Sequence, residues 1–327
     1  MSNTQQKAIL PLYDLMNKVP GGTMVIPLIL GSIIGTFGPG FLEMGSFTTA
    51  LFKTSSTALI AILIFATGMQ ITLRSSGPVL AHTGIILLFK TIIPGIIIVA
   101  LAMFTQSSEI LGVSILAIIT IACNSNGGIW LAVAGKYGDH RDQGAYIASA
   151  VNDGPFFVML FLGVSGLASI PLTLILAAVI PLILGMIVGN LDPKWTDLMR
   201  PTGAIVIPFF AFSLGTGINL NAIVTGGMTG MVLGLILTVV TGAMVYFGYK
   251  VILRRGNMSG MGFAAGTTAG NSIITPEIVA QADPSMLPFV QTATAQVAAA
   301  VLVSAIVAPL LAAYVMKRQG GIKANNE

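Results

Sequence analysis

Residues 25–35 read VIPLILGSIIG, and residues 179–189 read VIPLILGMIVG. The two stretches differ only at Ser32/Met186 and Ile34/Val188, and each carries a proline in third place and two glycines four residues apart. Chance is a poor source for such a match, so the chain is read as an internal duplication. The pairs Gly31/Gly35 and Gly185/Gly189 have the small-xxx-small spacing that lets a second helix backbone approach closely in lipid, and Pro27 and Pro181 predict a kink in each helix. The repeated stretch is therefore scaffold rather than ligand site. The same reading covers Gly226, Gly230 and Gly234, and Gly262, Gly266 and Gly270. Gly260-Met-Gly262 follows no strand and lies within an apolar span, which favours packing over a dinucleotide loop.

Composition sets the environment. Of 327 residues, 55% are hydrophobic and 8% charged, and the mean hydropathy of +0.92 belongs to a membrane protein rather than a soluble domain. Apolar runs of about 20 residues, enough to cross a hydrocarbon core as helix, recur along the whole length. They are continuously apolar rather than alternating, which selects helices over barrel strands. The first residues lack a basic region, an uninterrupted apolar core and a small-residue cleavage site, so no cleaved signal peptide is expected. The single Cys123 can form no intramolecular disulfide. Lys and Arg are scattered singly and in pairs, so the net charge of +4 implies no nucleic-acid partner.

The punctuators place ten spans, near 19–37, 47–72, 78–104, 109–135, 143–165, 168–190, 201–220, 224–250, 259–282 and 285–316. Basic residues favour cytoplasmic loops. With the N-terminus inside, that side collects Lys7, Lys18, Arg74, Lys136, Arg141, Lys194, Arg200, Lys250, Arg254, Arg255, Lys317, Arg318 and Lys323. These are thirteen of the fifteen Lys and Arg residues. Lys53 falls outside and Lys90 within a span, so both termini are expected to be cytoplasmic.

The duplication extends beyond its first motif. Phe65-Ala-Thr-Gly68-Met-Gln-Ile71-Thr-Leu73 matches Phe212-Ser-Leu-Gly215-Thr-Gly-Ile218-Asn-Leu220, and Asn124-Ser125 matches Asn271-Ser272, both at an offset of 147. The chain thus divides into halves, 1–165 and 166–327, of five spans each. An odd number of spans inserts the second half upside down. The expected fold class is all-α: a polytopic membrane protein of two inverted five-helix repeats, the arrangement secondary transporters build around one midplane site.

Spans 4 and 9 read as broken. The fourth is interrupted by Cys123-Asn-Ser-Asn-Gly-Gly128, and the ninth by Thr267-Thr-Ala-Gly-Asn-Ser272 before resuming at Thr275-Pro276. Such residues are poor helix interiors, and in lipid the backbone groups they free must line a cavity or find protein partners. Thr275 and Pro276 are expected as N-cap and N1 of a half-helix. If the breaks cross near the midplane, half-helix N-termini and side-chain amides receive an anionic solute, with Asn124, Ser125, Asn126, Gly127, Asn271, Ser272 and Thr275 as candidate binding residues.

Charged groups at depth mark function because hydrocarbon makes them costly. Lys90 in span 3 is a candidate for a substrate carboxylate or for pairing with Asp153. Asp153, with Asn152 beside it, is the first candidate coupling group, and Glu277 the second, although an acid in a helix's first turn also stabilises that helix by itself. His82 is placed at the membrane interface. Gln291, Thr292, Thr294 and Gln296 form a polar stretch comparable to the region around Ser149 and Asn152.

Lys18-Val-Pro-Gly-Gly22, Gly45-Ser-Phe47, Ser125-Asn-Gly-Gly128, Gly189-Asn-Leu-Asp-Pro193 and Ile207-Pro-Phe-Phe-Ala-Phe212 together resemble the 2-keto-3-deoxygluconate permeases over nearly the whole chain. The resemblance implies a proton symporter importing a pectin-derived sugar acid across the bacterial inner membrane. It also implies kinship with the bile acid transporter superfamily: a panel of helices 1, 2, 6 and 7 and a core of helices 3–5 and 8–10 holding crossed broken helices. Lys90 matches a helix 3 lysine of that family. Cys123 stands where some members carry an acid, leaving Asp153 and Glu277 as this chain's acids at depth within the spans.

The expected activity is therefore symport of a small sugar-acid anion with H⁺, without a bound cofactor or metal and with the lipid bilayer as surroundings. A carboxylate withdrawn from water takes up a proton more readily, which suits it to alternating access. The nearest rival keeps the fold but couples an organic anion to Na⁺. An intramembrane enzyme lacks a nucleophile with a base, and a passive channel needs neither the repeat nor the crossing breaks.

Overall fold

The computed structural model describes residues 10–18, 22–72, 77–218 and 220–321. Lys7, Arg74 and Lys323 of the orientation count, and Val19-Pro20-Gly21, Leu73 and Asn219 of the motifs, lie outside the described residues.

Apolar sequence in lipid must satisfy its own backbone, and the chain does so almost entirely as helix. A short α1 (Leu12–Asn17) precedes α2 (Gly22–Phe37), which keeps Pro27 inside an unbroken helix. Next come α3 (Pro39–Leu42), α4 (Ser46–Phe52) and α5 (Ser56–Met69), with α4 and α5 meeting at 59°. Helix α6 (Gly77–Ile86) runs through a π turn at Leu87–Ile92 into α7 (Ile93–Thr105).

The fourth span starts later than predicted. Residues 109–114 form a hairpin, β1 (Glu109–Ile110) antiparallel to β2 (Val113–Ser114), turned by Leu111 and Gly112 at positive φ. Ser114 then caps α8 (Ile115–Ala122) by accepting from the Ala117 N–H. After the break come α9 (Gly127–Tyr137), α10 (His140–Gly144), α11 (Tyr146–Asn152) and α12 (Phe156–Val164).

The second half holds α13 (Leu172–Leu191), with Pro181 inside an unbroken helix, then α14 (Pro193–Met199), α15 (Thr202–Gly215) and α16 (Leu220–Phe247). A π turn at Gly248–Ile252 and 3₁₀ segments at Gly256–Gly266 and Gly270–Ile274 precede α17 (Thr275–Ala282) and the long α18 (Leu287–Arg318).

Among the described residues, five helical rods are long and apolar enough to cross a membrane, or eight if each bent pair counts as one span. Two predicted spans fall outside that count. Helix α2 has only 16 residues, and Gly256–Ala282 is mostly 3₁₀ helix. Large apolar side chains of α13, among them Leu176, Ile180, Leu184 and Ile187, are exposed, as a lipid-facing helix requires.

The duplicated glycines sit where backbones touch. A Cβ at Gly31 would overlap the Phe212 carbonyl of α15, and one at Gly35 the Thr216 carbonyl; likewise Gly185 and Gly189 of α13 abut the Phe65 and Met69 carbonyls of α5. The contacts are returned, because Gly215 abuts Leu28 and Gly68 abuts Leu182. Polar side chains lock both pairs: Ser32 Oγ donates to the Ile218 carbonyl at 2.5 Å and Asn190 Nδ2 to the Ile71 carbonyl at 2.8 Å. Helix α2 therefore packs on α15, and α13 on α5, through matching glycine contacts.

A second cross-half tie is ionic. Arg255 donates to Asp139 Oδ2 at 3.0 Å and Asp142 Oδ2 at 2.5 Å, while Arg141 also donates to Asp139. Partial burial raises the Asp139 pKa, but the Arg141 hydrogen bond, backbone N–H groups and the Arg255 charge outweigh it and hold the carboxyl below the usual carboxylate range. His82, placed at the interface by sequence, is buried: its Nδ1 lies 2.7 Å from the Pro78 carbonyl and its ring meets Tyr249 edge-on.

Two outcomes follow from this packing. Alanine normally favours a helix over glycine by about 1 kcal/mol, whereas overpacking a tight contact costs about 1–3 kcal/mol. Gly31→Ala should thus lower the melting temperature in detergent, while Gly84→Ala, whose Cβ meets nothing within 4 Å, should not. A carboxyl with a depressed folded pKa stabilises above its unfolded value of about 4, and that stabilisation is lost as pH falls through the folded value. Arg255→Gln should accordingly melt below the wild type at neutral pH, with the gap narrowing in acid below about pH 4.

Candidate functional site

The breaks after α8 and before α17 meet. Asn124 Oδ1 accepts the Ala269 N–H at 2.7 Å, the Asn126 N–H donates to Thr267 Oγ1 at 2.9 Å, and Thr268 Oγ1 donates to the Ile121 carbonyl at 3.4 Å. The Asn124 amide also donates back to the Thr120 carbonyl, and the Thr268 N–H reaches Ser304 Oγ at 2.9 Å. Backbone groups freed by two interruptions are thus answered across the crossing, as burial demands.

A second layer braces the crossing from behind. Ser125 donates through its N–H and Oγ to Asn152 Oδ1, Ser125 and Ser149 hydroxyls lie 3.1 Å apart, and Asn152 Nδ2 donates to Thr91 Oγ1 at 3.0 Å. Thr91 in turn donates to the Cys123 carbonyl at 2.9 Å. Asn124, Ser125, Asn152 and Ser272 are all buried in this scaffold.

In front of the crossing lies a cavity of about 330 Å³, within the roughly 300–1,000 Å³ range of small-molecule pockets. Asn126, Gly127, Asn271 and Asp153 line it. Asn126 caps α9 by accepting from the Ile129 N–H at 3.0 Å, so the Gly127-Gly128 amides open that helix at the cavity wall. Asn271 donates to Asp153 Oδ2 at 2.6 Å, whereas the buried Asp153 Oδ1 has no hydrogen-bond partner among the described residues.

Asp153 reaches this wall through a third interruption. The α11–α12 pair bends by 55° at Asp153-Gly154-Pro155, and Gly154 holds φ +116°, a conformation other residues rarely adopt. That break was legible as Gly-Pro after an acid, although the sequence reading kept span 5 continuous.

Other candidates lie elsewhere. Lys90, fully buried in the π turn, donates to Thr241 Oγ1 at 3.0 Å; it neither pairs with Asp153 nor lines the cavity. Thr275 is the first residue of α17 rather than its cap. The 3₁₀ segment Gly270–Ile274 runs straight into α17, so Ile274 takes the cap position in helical conformation, and the buried Thr275 hydroxyl is unpartnered among the described residues. Glu277 lines a separate cavity with Gln291 and Thr294.

Arg200, Gln70, Thr67 and Tyr146 line the first cavity and were missed. Arg200 entered the sequence reading only as a loop charge. It sits between α14 and α15, which meet at 46°, lines the cavity, and donates to Asp197 Oδ1 at 2.9 Å.

A multi-pass helical membrane chain whose broken segments line a cavity with amides and a carboxyl has the makings of a solute carrier. The family model described as 2-keto-3-deoxygluconate permease matches residues 13–321. The 2-keto-3-deoxygluconate permease 1 of Salmonella typhimurium is 41% identical over 304 residues, 93% of this chain and 95% of that one. The 2-keto-3-deoxygluconate permeases of Bacillus subtilis, 37% identical with 93% of each chain covered, and of Enterobacter sp., 36% identical with 94% of each covered, are similar along the same length. The chain belongs to the 2-keto-3-deoxygluconate permease family, and is a transporter rather than an enzyme. No solved structure matches it.

Proposed function

We propose that this chain imports 2-keto-3-deoxygluconate, or a closely related sugar acid, by proton symport across the bacterial inner membrane, with both termini cytoplasmic. The substrate reading rests on the names of the relatives and on a cavity suited to a polyhydroxylated anion: amides from Asn126 and Asn271, helix-opening N–H groups at Gly127 and Gly128, and the Arg200 guanidinium. Arginine holds a carboxylate through charge-assisted hydrogen bonds, and side-chain amides serve both as donors and as acceptors for hydroxyls.

The architecture we infer is ten spans in two inverted five-helix repeats, with helices 1, 2, 6 and 7 as a panel and the remainder as a core. The reciprocal glycine contacts support it, because α2 against α15 and α13 against α5 repeat one interface at the sequence offsets of the duplication. A panel joined through such an interface can rock as a unit against a core built round the crossing.

The observation that carries the coupling reading is the carboxyl of Asp153, a residue of the cavity wall, with one oxygen held by Asn271 and the other buried without a partner among the described residues. In its ionised form it repels a substrate carboxylate, and in its protonated form it donates a hydrogen bond instead. Proton and anion thereby load together and leave together. Oxygen ligands at the helix breaks suit Na⁺ as well, which keeps Na⁺ coupling as the second reading.

Uptake of labelled 2-keto-3-deoxygluconate into vesicles, driven by a pH gradient or by a Na⁺ gradient, separates the two. The expected result is acceleration by an inward proton gradient, and acceleration by Na⁺ alone would reject proton coupling. Asp153→Asn should abolish accumulation against a gradient while leaving exchange of labelled for unlabelled substrate within about threefold of the wild type. Full accumulation by the variant would remove Asp153 from the coupling role.

A further inference from the structure

A second cavity, of about 340 Å³, lies beside the α4–α5 bend, the end of α15, α17 and α18. It shares no lining residue with the first cavity. The duplication nevertheless relates the two. At the 147-residue offset, Lys53 corresponds to Arg200, Ser56 to Gly203, Ala66 to Ser213 and Gln70 to Gly217. In every pair one residue lines one cavity and its counterpart lines the other. The correspondence belongs to the bent pairs α4–α5 and α14–α15; the counterparts of Asn126, Asp153 and Asn271 line neither cavity.

The basic residues correspond in position as well as in number. Lys53 is the C-cap of α4 and Arg200 the C-cap of α14, each at the bend of a broken pair. Each is held by one nearby acid, Lys53 by Glu43 at 2.5 Å and Arg200 by Asp197 at 2.9 Å, and the side chains stay substantially exposed. An exposed ion pair is weak and exchanges partners readily. Ser213 and Thr294 also line the second cavity, and the Ser213 hydroxyl is buried without a hydrogen-bond partner among the described residues. A buried polar atom without a partner is unfavourable unless a ligand or water answers it.

We propose that this second cavity is a carboxylate-binding site for the transported solute, a small polyhydroxylated monocarboxylate, opening on the membrane face opposite the first cavity. This rests on the transport reading above. Lys53 exchanges Glu43 for the incoming carboxylate, and Ser213, Gln291 and Thr294 meet its hydroxyls. Glu277 shares the wall and opposes a second negative charge, so the site selects monocarboxylates over dicarboxylates. Arg200 and Lys53 thus do the same work in the two cavities, one on each face.

Thiol labelling tests this. In a Cys123→Ala background, which removes the sole native thiol, Ala66→Cys and Ser213→Cys place one reporter in each cavity. An anionic, membrane-impermeant methanethiosulfonate is applied to vesicles of either orientation, with and without 2-keto-3-deoxygluconate. The two thiols should label from opposite faces, and both should be protected by the sugar acid. Lys53→Gln should raise the half-protecting concentration at the Ser213→Cys thiol about fivefold, and Lys53→Arg should hold it within about twofold. Glu43→Gln, which frees Lys53, should lower it.

Labelling from one face only, an unreactive or unprotected Ser213→Cys thiol, or indifference to Lys53→Gln would overturn the proposal. If Ala66→Cys is protected and Ser213→Cys is not, this inference fails alone. If neither is protected and the wild type takes up no 2-keto-3-deoxygluconate, the transport reading fails with it.

Discussion

Hydrocarbon offers no hydrogen bonds, so a chain that interrupts its helices inside a membrane must answer every freed backbone group from within. That constraint organises this molecule. Asn124 answers Ala269, Thr267 answers Asn126 and Ser304 answers Thr268, and a further layer through Asn152, Ser149 and Thr91 holds Ser125 and the Cys123 carbonyl in place. Polar residues in the breaks therefore divide by position: Asn124 and Ser125 are spent on the crossing, whereas Asn126, Asn271 and Asp153 line the cavity.

The same division accounts for what could be read in advance. Membrane residence, the duplication and the interruptions in spans 4 and 9 follow from hydropathy and helix-breaking residues, which are local properties. The break at Asp153-Gly154-Pro155 stands out in sequence for a related reason, since an ionisable group beside Gly-Pro is costly in an apolar run. The Asn124-Ser125 and Asn271-Ser272 pairs were also found, but their split between bracing and lining depends on which way each side chain turns in the folded crossing.

What was not legible depends on rotation and local winding. Lys90 and Asp153 both lie deep in spans, and nothing in a linear reading tells that a π turn aims Lys90 at Thr241 instead of the cavity. The hairpin at 109–114 is apolar enough to pass for the start of a helix, and the 3₁₀ run before Thr275 hides the usual cap geometry. Arg200 was visible only as a count of basic charge. The α14–α15 bend is what sets this loop residue at the rim of the first cavity with its side chain still exposed.

The reciprocal packing of α2 on α15 and of α13 on α5 also bears on biosynthesis. Ser32 finds its partner at Ile218, 186 residues further along the chain. At ribosomal speeds of about 5–20 residues per second, that is roughly ten to forty seconds during which the glycine face of α2 has been made and its protein cover has not. Throughout that interval the glycine face of α2 lacks the helix it is shaped to meet. The dependence is one-sided in time, because α13 finds α5 already made whereas α2 must wait for α15.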